Sequence, residues 1–248
     1  MTLSLLILII PSERKSQVKM DKGLFFLLVG LGAMDAGIPF WLIAYGQSHL
    51  DSSIVAVMMG TIPVFTAVLQ MLVGKDKKVT KWQFIGIIVS FTGLFVLINP
   101  SSDSFKGNLI GYLAILGACI SFAIAFMFME RLPRHISALR ASRFVLLIYS
   151  LPFLAFWFVS EGYSNFPTDN KAWLAALVLG AFSSGIVYIF YIQSVRLSGP
   201  TFTSFSNYLV PLIGALLGIF ILKESFTSEL MWSIILIILG LVISNKKS

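Results

Sequence analysis

Cysteine, histidine and charge are all scarce in these 248 residues. The single cysteine, Cys119, lies inside an apolar run; it can form no internal disulfide and reads as a small core hydrophobe. The only histidines, His49 and His135, fall in separate connecting segments, so no metal site is expected, and no other cofactor. Charged residues make up 12% of the chain, against about 25% in a soluble domain. No Lys or Arg falls in the middle of an apolar segment, which argues against phosphorylated or multiply anionic solutes. No phosphate-binding Gly-rich motif is present, so the chain does not use ATP directly. A clustered set of catalytic acids, histidines or a nucleophile with its base is missing as well, and an enzyme is not expected.

What the chain has instead is apolar length. Hydrophobic residues make up 57% of it, and its mean hydropathy is +0.91. Eight apolar segments, near 24–46, 54–73, 82–98, 108–129, 144–160, 173–195, 201–222 and 229–244, are each long enough to span a bilayer as a helix. Barrel strands would alternate and be about half as long. The expected fold is therefore all-α, a polytopic membrane helix bundle with eight full spans, surrounded by lipid.

The net charge of +7 does not indicate nucleic acid, because the basic residues sit between the apolar segments. Connections 12–22, 74–81, 130–143, 196–200 and the tail 245–248 hold 15 of the 18 Lys and Arg. These connections alternate along the chain with the poorly charged ones, as opposite sides of a membrane must. Basic connections stay cytoplasmic, so the C-terminus is expected inside, most naturally at a bacterial cytoplasmic membrane. Residues 2–10 are apolar but reach only about 14 Å as a helix. They read as the end of a partial span whose beginning is missing, followed by a cytoplasmic loop to residue 22. A truncated chain and a partner that completes the bundle both account for this.

The sequence also matches itself. A shift of 148 positions lays Gly32, Ala33, Gly37, Ile38, Pro63, Ala67, Leu69 and Lys75 on Gly180, Ala181, Gly185, Ile186, Pro211, Ala215, Leu217 and Lys223, with Asp76 on Glu224 and no gap. The two copies lie an odd number of spans apart, so they are expected to cross in opposite directions. Inverted-topology repeats around a midplane site are a signature of secondary transporters.

Each copy ends in a proline-bearing helix, a Lys-acidic pair and a last apolar helix. These are MMGTIPVFTAVLQMLVGKD with KWQFIGIIVSFTGLFVLI, and FSNYLVPLIGALLGIFILKE with MWSIILIILGLVIS. The pattern resembles the EamA-like branch of the drug/metabolite transporter superfamily. Lys223-Glu224 matches the family pair, and Lys75-Asp76 departs from it by an Asp for the usual Glu. The resemblance implies ten helices in two inverted five-helix repeats, here an incomplete repeat at 23–99 and a second at 108–245. It also implies export of a small organic metabolite, such as an amino acid, a derivative or an amphipathic compound, by alternating access. The first helix and most of the second are not in this chain. A non-transporting membrane scaffold or sensor is the alternative.

Asp35 is the sharpest position. A carboxylate in mid-helix costs roughly 2.5–3.5 kcal/mol on insertion scales, so it must face a cavity or a polar partner. It reads either as a proton-coupled or cation-contacting group, or as a protonated Asp that packs helices. Pro39 nearby predicts a bend in that helix, as Pro63 and Pro211 do in theirs. Further candidates for a solute pathway are Trp41 and Tyr45 in the first span and Gln70 in the second. The sixth span offers Ser183, Tyr188, Tyr191 and Gln193, and the seventh Ser204, Asn207 and Tyr208. For each the competing reading is apolar filling, interface anchoring or close helix packing. Proton coupling, solute identity and oligomeric state stay open.

Overall fold

A computed structural model describes residues 21–50, 52–74, 79–99, 108–160, 186–222 and 227–245. Among them every regular element is a helix. We number these α1 (Lys22–Gln47), α2 (Ile54–Val73), α3 (Lys81–Ile98), α4 (Leu109–Arg131), α5 (Ala138–Ser160), α6 (Val187–Ser198), α7 (Pro200–Ser204), α8 (Ser206–Leu222) and α9 (Ser228–Ser244). α1 to α4 are long and apolar enough to cross a bilayer, at 26, 20, 18 and 23 residues. α9 is apolar and slightly shorter. The segments expected at 144–160 and 229–244 fall in α5 and α9, and 201–222 is divided between α7 and α8. Residues 173–185 of the sixth segment, and residues 1–20, lie outside the described residues.

Apolar residues face outward as well as inward. Phe26, Trp41, Leu72, Leu109, Phe190, Leu197 and Val210 are exposed, while Ser90, Ser121, Ser142, Ser150, Ser204 and Ser233 are buried. A large exposed apolar surface is stable only against lipid or a partner, and small hydroxyl residues let membrane helices approach closely. Several of the buried hydroxyls return their hydrogen to a carbonyl one turn back. Ser142 donates to Ala138 at 2.8 Å, Ser204 to Thr201 at 2.7 Å and Ser233 to Leu230 at 2.8 Å. The hydroxyl is satisfied without a second helix, which a dry interior requires.

The chain forms two compact units, each drawn from both halves of the sequence: Met1–Gly37 with Phe128–Leu197, and Ile38–Met127 with Ser198–Ser248.

In the first unit the start of α1 packs on α5. Asp21 caps α1, its Oδ1 accepting the Leu24 N–H at 2.7 Å. Leu24, Leu28 and Leu31 are buried at helical spacing. Phe25 meets Phe144 edge to face, with ring centroids 5.8 Å apart. Half-buried Arg196 donates from Nη2 to the carbonyls of Ile136 at 2.7 Å and Pro133 at 3.3 Å. This ties the end of α6 to the α4–α5 connection.

In the second unit α3 and α9 pack along their length. Gly86 faces the Gly240 carbonyl and Ser244, while Gly93 faces Leu236 and Ile237. The partner number falls as the α3 number rises, so the two helices are antiparallel. Ser90 Oγ reaches the Ile237 carbonyl at 3.4 Å, a long bond. Around this pair Ala67, Ile87, Leu94, Phe205, Tyr208, Leu212, Leu230 and Ile237 form the buried core. α3 has clear end signals. Thr80 and Gln83 exchange a capping box at 3.1 and 2.9 Å, and Asn99 ends the helix at φ 41° just before Pro100.

Candidate functional site

α1 changes its winding where its carboxylate sits. Residues Ala33–Gly37 form one π turn between two α-helical stretches, and Asp35 is its central residue. The local cause is legible. Pro39 has no N–H to give the Asp35 carbonyl, and its ring crowds that carbonyl. A turn closed five residues back relieves both problems. Gly32 and Gly37, five apart, then come onto one face; a Cβ on Gly37 would lie 4.0 Å from the Gly32 carbonyl.

One side chain fills the notch between those glycines. The Tyr149 ring, from α5, lays its Cδ2–Cε2 edge on Gly32. Its opposite edge faces Gly37, with Cε1 3.2 Å from where a Cβ would stand. Its hydroxyl donates to the Val29 carbonyl at 2.7 Å, one turn before the π turn. From α6, Tyr188 brings its hydroxyl beside the Asp35 carboxyl. That hydroxyl is buried and makes no hydrogen bond of ordinary length and angle among the described residues. Asp35 is only half-buried: part of its surface stays accessible although protein surrounds it densely. The first unit thus holds a carboxyl and two phenol groups, with no Lys or Arg brought to them among the described residues.

The other expected residues are placed differently. Trp41 and Tyr45 are exposed and stacked, with centroids 6.1 Å apart, and Tyr45 also lies on His49. Tyr191 is half-buried and Gln193 exposed on α6. In the second unit Ser204, Asn207 and Tyr208 direct their polar atoms to backbone carbonyls. Asn207 Nδ2 donates to Ser204 at 2.8 Å, and the buried Tyr208 hydroxyl reaches Ile87 at 3.4 Å. Gln70 is buried and lines a cavity of about 20 Å³ with Val79, Gln83, Ser198, Gly199, Pro200 and Thr201; that is space for one water. The buried Thr201 hydroxyl has no partner among the described residues.

Of the proline positions, Pro39 follows the π turn, Pro63 follows a break at Gly60–Thr61, and Pro211 lies within α8. At the Gly60 break the Thr61 hydroxyl donates to the Met58 carbonyl at 2.6 Å, and Leu94 packs directly on the glycine. Ser183, Lys75, Asp76, Lys223 and Glu224 lie outside the described residues. Cys119 is buried, its thiol 3.3 Å from the Met58 carbonyl. Among the described residues no group of three or more His, Cys, Asp or Glu converges as a metal site would require.

Tyr149 and Thr201 are the residues that sequence reasoning missed. Each is an unremarked side chain in an apolar or turn segment, and only the folded geometry distinguishes it.

A sequence profile of the EamA-like transporter family matches residues 1–99 and 109–246, almost the whole chain. The protein belongs to the EamA-like transporter family. It is 30% identical over 213 residues to an uncharacterized transporter of Buchnera aphidicola subsp. Schizaphis graminum, covering 84% of this chain and 69% of that protein. The uncharacterized transporter YoaV of Bacillus subtilis is 23% identical, over 88% of this chain and 73% of its own. The uncharacterized inner membrane transporter YedA of Escherichia coli K12 is 26% identical, over 77% of this chain and 60% of its own. A protein of known crystal structure superposes on 98% of this EamA-family chain and 84% of its own with a TM-score of 0.81; at 15% identity it shows the fold alone. Membership and apolar helices together make this a multi-pass integral membrane protein of a transporter family.

Proposed function

We propose that this protein is a secondary active transporter that exports a small neutral, zwitterionic or cationic organic solute by alternating access. Two inverted repeats, 23–99 and 108–245, rock around a midplane site in this reading. Asp35 lies on the pathway and exchanges a proton in each cycle. The membrane is the cytoplasmic membrane of a bacterium, with the C-terminus inside.

The observation that carries this proposal is the placement of Asp35. It is the carboxyl of a half-buried residue, on a π turn in the middle of an apolar helix, with a buried phenol beside it. Intramembrane carboxyls mark ion and substrate paths, and π turns occur often at functional positions. The antiparallel packing of α3 and α9 is what inverted repeats require of two equivalent last helices.

The test is flux into everted membrane vesicles, using a labelled panel of amino acids and hydrophobic organic cations with and without a pH gradient. Gradient-driven accumulation of at least one compound, lost in Asp35→Asn, is the expected result. Full gradient-driven flux in Asp35→Asn overturns the coupling role. Absence of any flux across the panel, with the wild-type protein intact in the vesicles, overturns export of these solutes.

A further inference from the structure

We infer that Tyr149 is a positioning residue for Asp35, acting through the π turn that carries it. This rests on the proposed pathway role of Asp35 for its functional meaning, but not for its geometry.

An isolated π turn is a strained choice for a helix, because one carbonyl loses its regular partner. Something must over-determine it. In α1 the sequence supplies half of that: Pro39 disfavours the α alternative, and Gly32 and Gly37 leave their shared face bare. The other half comes from α5. The ring of Tyr149 occupies the space that two Cβ atoms would otherwise fill, one edge on each glycine, so it bridges the five-residue step of the π turn. Its hydroxyl bonds the Val29 carbonyl at 2.7 Å. That carbonyl also accepts the N–H of Ala33, the residue where the π turn starts. Tyr149 therefore touches the turn at its entrance, its floor and its exit without touching the reacting carboxyl.

The consequence is angular. Relaxing the bulge re-registers one end of α1 against the other by one residue, a rotation of about 100°. Asp35 would then leave the side where Tyr188 meets it. Among the described residues, the titratable groups that face Asp35 from neighbouring elements are Tyr188 on α6 and, next to it, Tyr149 on α5. A ring held by two glycines and one hydrogen bond thus selects which face of α1 presents the carboxyl.

The experiment reads the carboxyl directly and needs no solute. Full-length protein in lipid nanodiscs is treated with a hydrophobic carbodiimide, and labelling at Asp35, Asp21 and Glu130 is followed by peptide mass spectrometry. Tyr149→Phe keeps the ring and loses the bond to Val29; Gly32→Ala puts a methyl where the ring lies. An ordinary hydrogen bond of net worth changes an equilibrium about three- to tenfold. Labelling of Asp35 in Tyr149→Phe should change by that factor, with Asp21 and Glu130 within about twofold of wild type. Gly32→Ala should change it in the same sense. Asp35 labelling within twofold of wild type in Tyr149→Phe overturns the inference. So does a parallel change at all three carboxyls, which is general loosening. If Gly32→Ala does not fold, Tyr149→Phe alone decides. A shifted Asp35 label alongside full gradient-driven flux in Asp35→Asn leaves the positioning role standing and removes the coupling role.

Discussion

Replacing Gly86 by Ala places a Cβ 2.5 Å from the Gly240 carbonyl and 2.8 Å from Ser244 Cβ. Ordinary contact begins at 3.4 Å, so α3 and α9 must separate by about 1 Å locally. The obstacle is backbone on the opposite helix, which cannot swing aside as a side chain can. A gap of 0.5–1 Å forfeits about a quarter to a half of the dispersion energy at each facing atom pair. Between membrane helices that packing energy is the main attraction, since lipid is as apolar as the interface. Overpacking costs about 1–3 kcal/mol in general, and the backbone obstacle puts Gly86→Ala in the upper half of that range. For a chain of this length each kcal/mol moves the melting temperature by about 2–4 °C, so a drop of about 4–12 °C is expected in detergent. Gly240→Ala should behave alike, because its Cβ meets the Gly86 carbonyl at 2.6 Å and the Ser90 nitrogen at 2.8 Å. The double variant should cost less than the two singles together, by about 0.5 kcal/mol or more, because one separation relieves both clashes. Gly117→Ala is the control: its Cβ meets only the flexible Leu42 Cδ1, at 3.2 Å. Melting followed by size-exclusion chromatography reads all four. If both single variants melt within 1 °C of wild type, the close antiparallel seam is refuted.

Arg196→Gln keeps a donor but loses reach and charge, so the bonds to Ile136 and Pro133 should weaken by about 1.5–3 kcal/mol; faster trypsin cleavage at the exposed Arg134 would report it. Thr80→Ala removes half of the α3 capping box and should cost about 1 kcal/mol, read as a lower melting temperature. Cys119 should resist a small maleimide in the folded protein and react only after denaturation, because its thiol is buried against Met58; rapid labelling of native protein contradicts that placement. In a Cys119→Ser background, Lys75→Cys and Lys223→Cys should be labelled from opposite faces of the membrane. Labelling from a common face removes the inverted repeat and the proposed rocking mechanism with it.

What the sequence makes legible follows from where the physics is local. Hydrophobic length alone marks α1 to α4. Asp35 stands out because a carboxylate in lipid is costly wherever it occurs. Pro39 and its glycines announce a disturbed helix, but not its form. Whether the chain bends, breaks or widens there depends on what packs on it, and that is Tyr149, whose bonded partner Val29 lies 120 residues away in sequence. A tyrosine within an apolar run has no local property that separates a wedge from a filler. The same holds for the polar stripe of the seventh segment. Ser204 and Asn207 share a face with a solute-lining pattern, yet their donors are spent on carbonyls of their own chain segment. Helical spacing gives the face a side chain occupies and says nothing of the rotamer it takes. In the second segment Pro63 predicts a bend, and the structure interrupts α2 with a turn at Gly60–Thr61, just before that proline. Leu94 fills the space above Gly60, and that contact, too, comes from a different helix.

The company Asp35 keeps bears on the proposed coupling more than its depth does. A carboxyl that exchanges a proton must be tolerable in both states at one place. A Lys or Arg partner would satisfy the carboxylate and be stranded, charged and unpaired, when the proton arrived. A phenol has no such asymmetry. Its hydroxyl donates to a carboxylate, and its oxygen accepts from a carboxylic acid. Tyr188 stands in that position with its hydroxyl uncommitted among the described residues, whereas the Tyr149 hydroxyl is committed to Val29. Under the proposed coupling the two tyrosines would divide the work: Tyr149 would hold the turn, and Tyr188 would be left to follow the proton. Tyr188→Phe separates this from simple packing. It removes the oxygen and keeps the ring, so a packing role predicts unchanged gradient-driven flux. A proton partner predicts a loss of about tenfold or more, the order expected when a buried polar group loses a hydrogen-bonding complement. Wild-type flux in Tyr188→Phe, together with loss of flux in Asp35→Asn, would leave the carboxyl acting without the phenol and end the two-state argument.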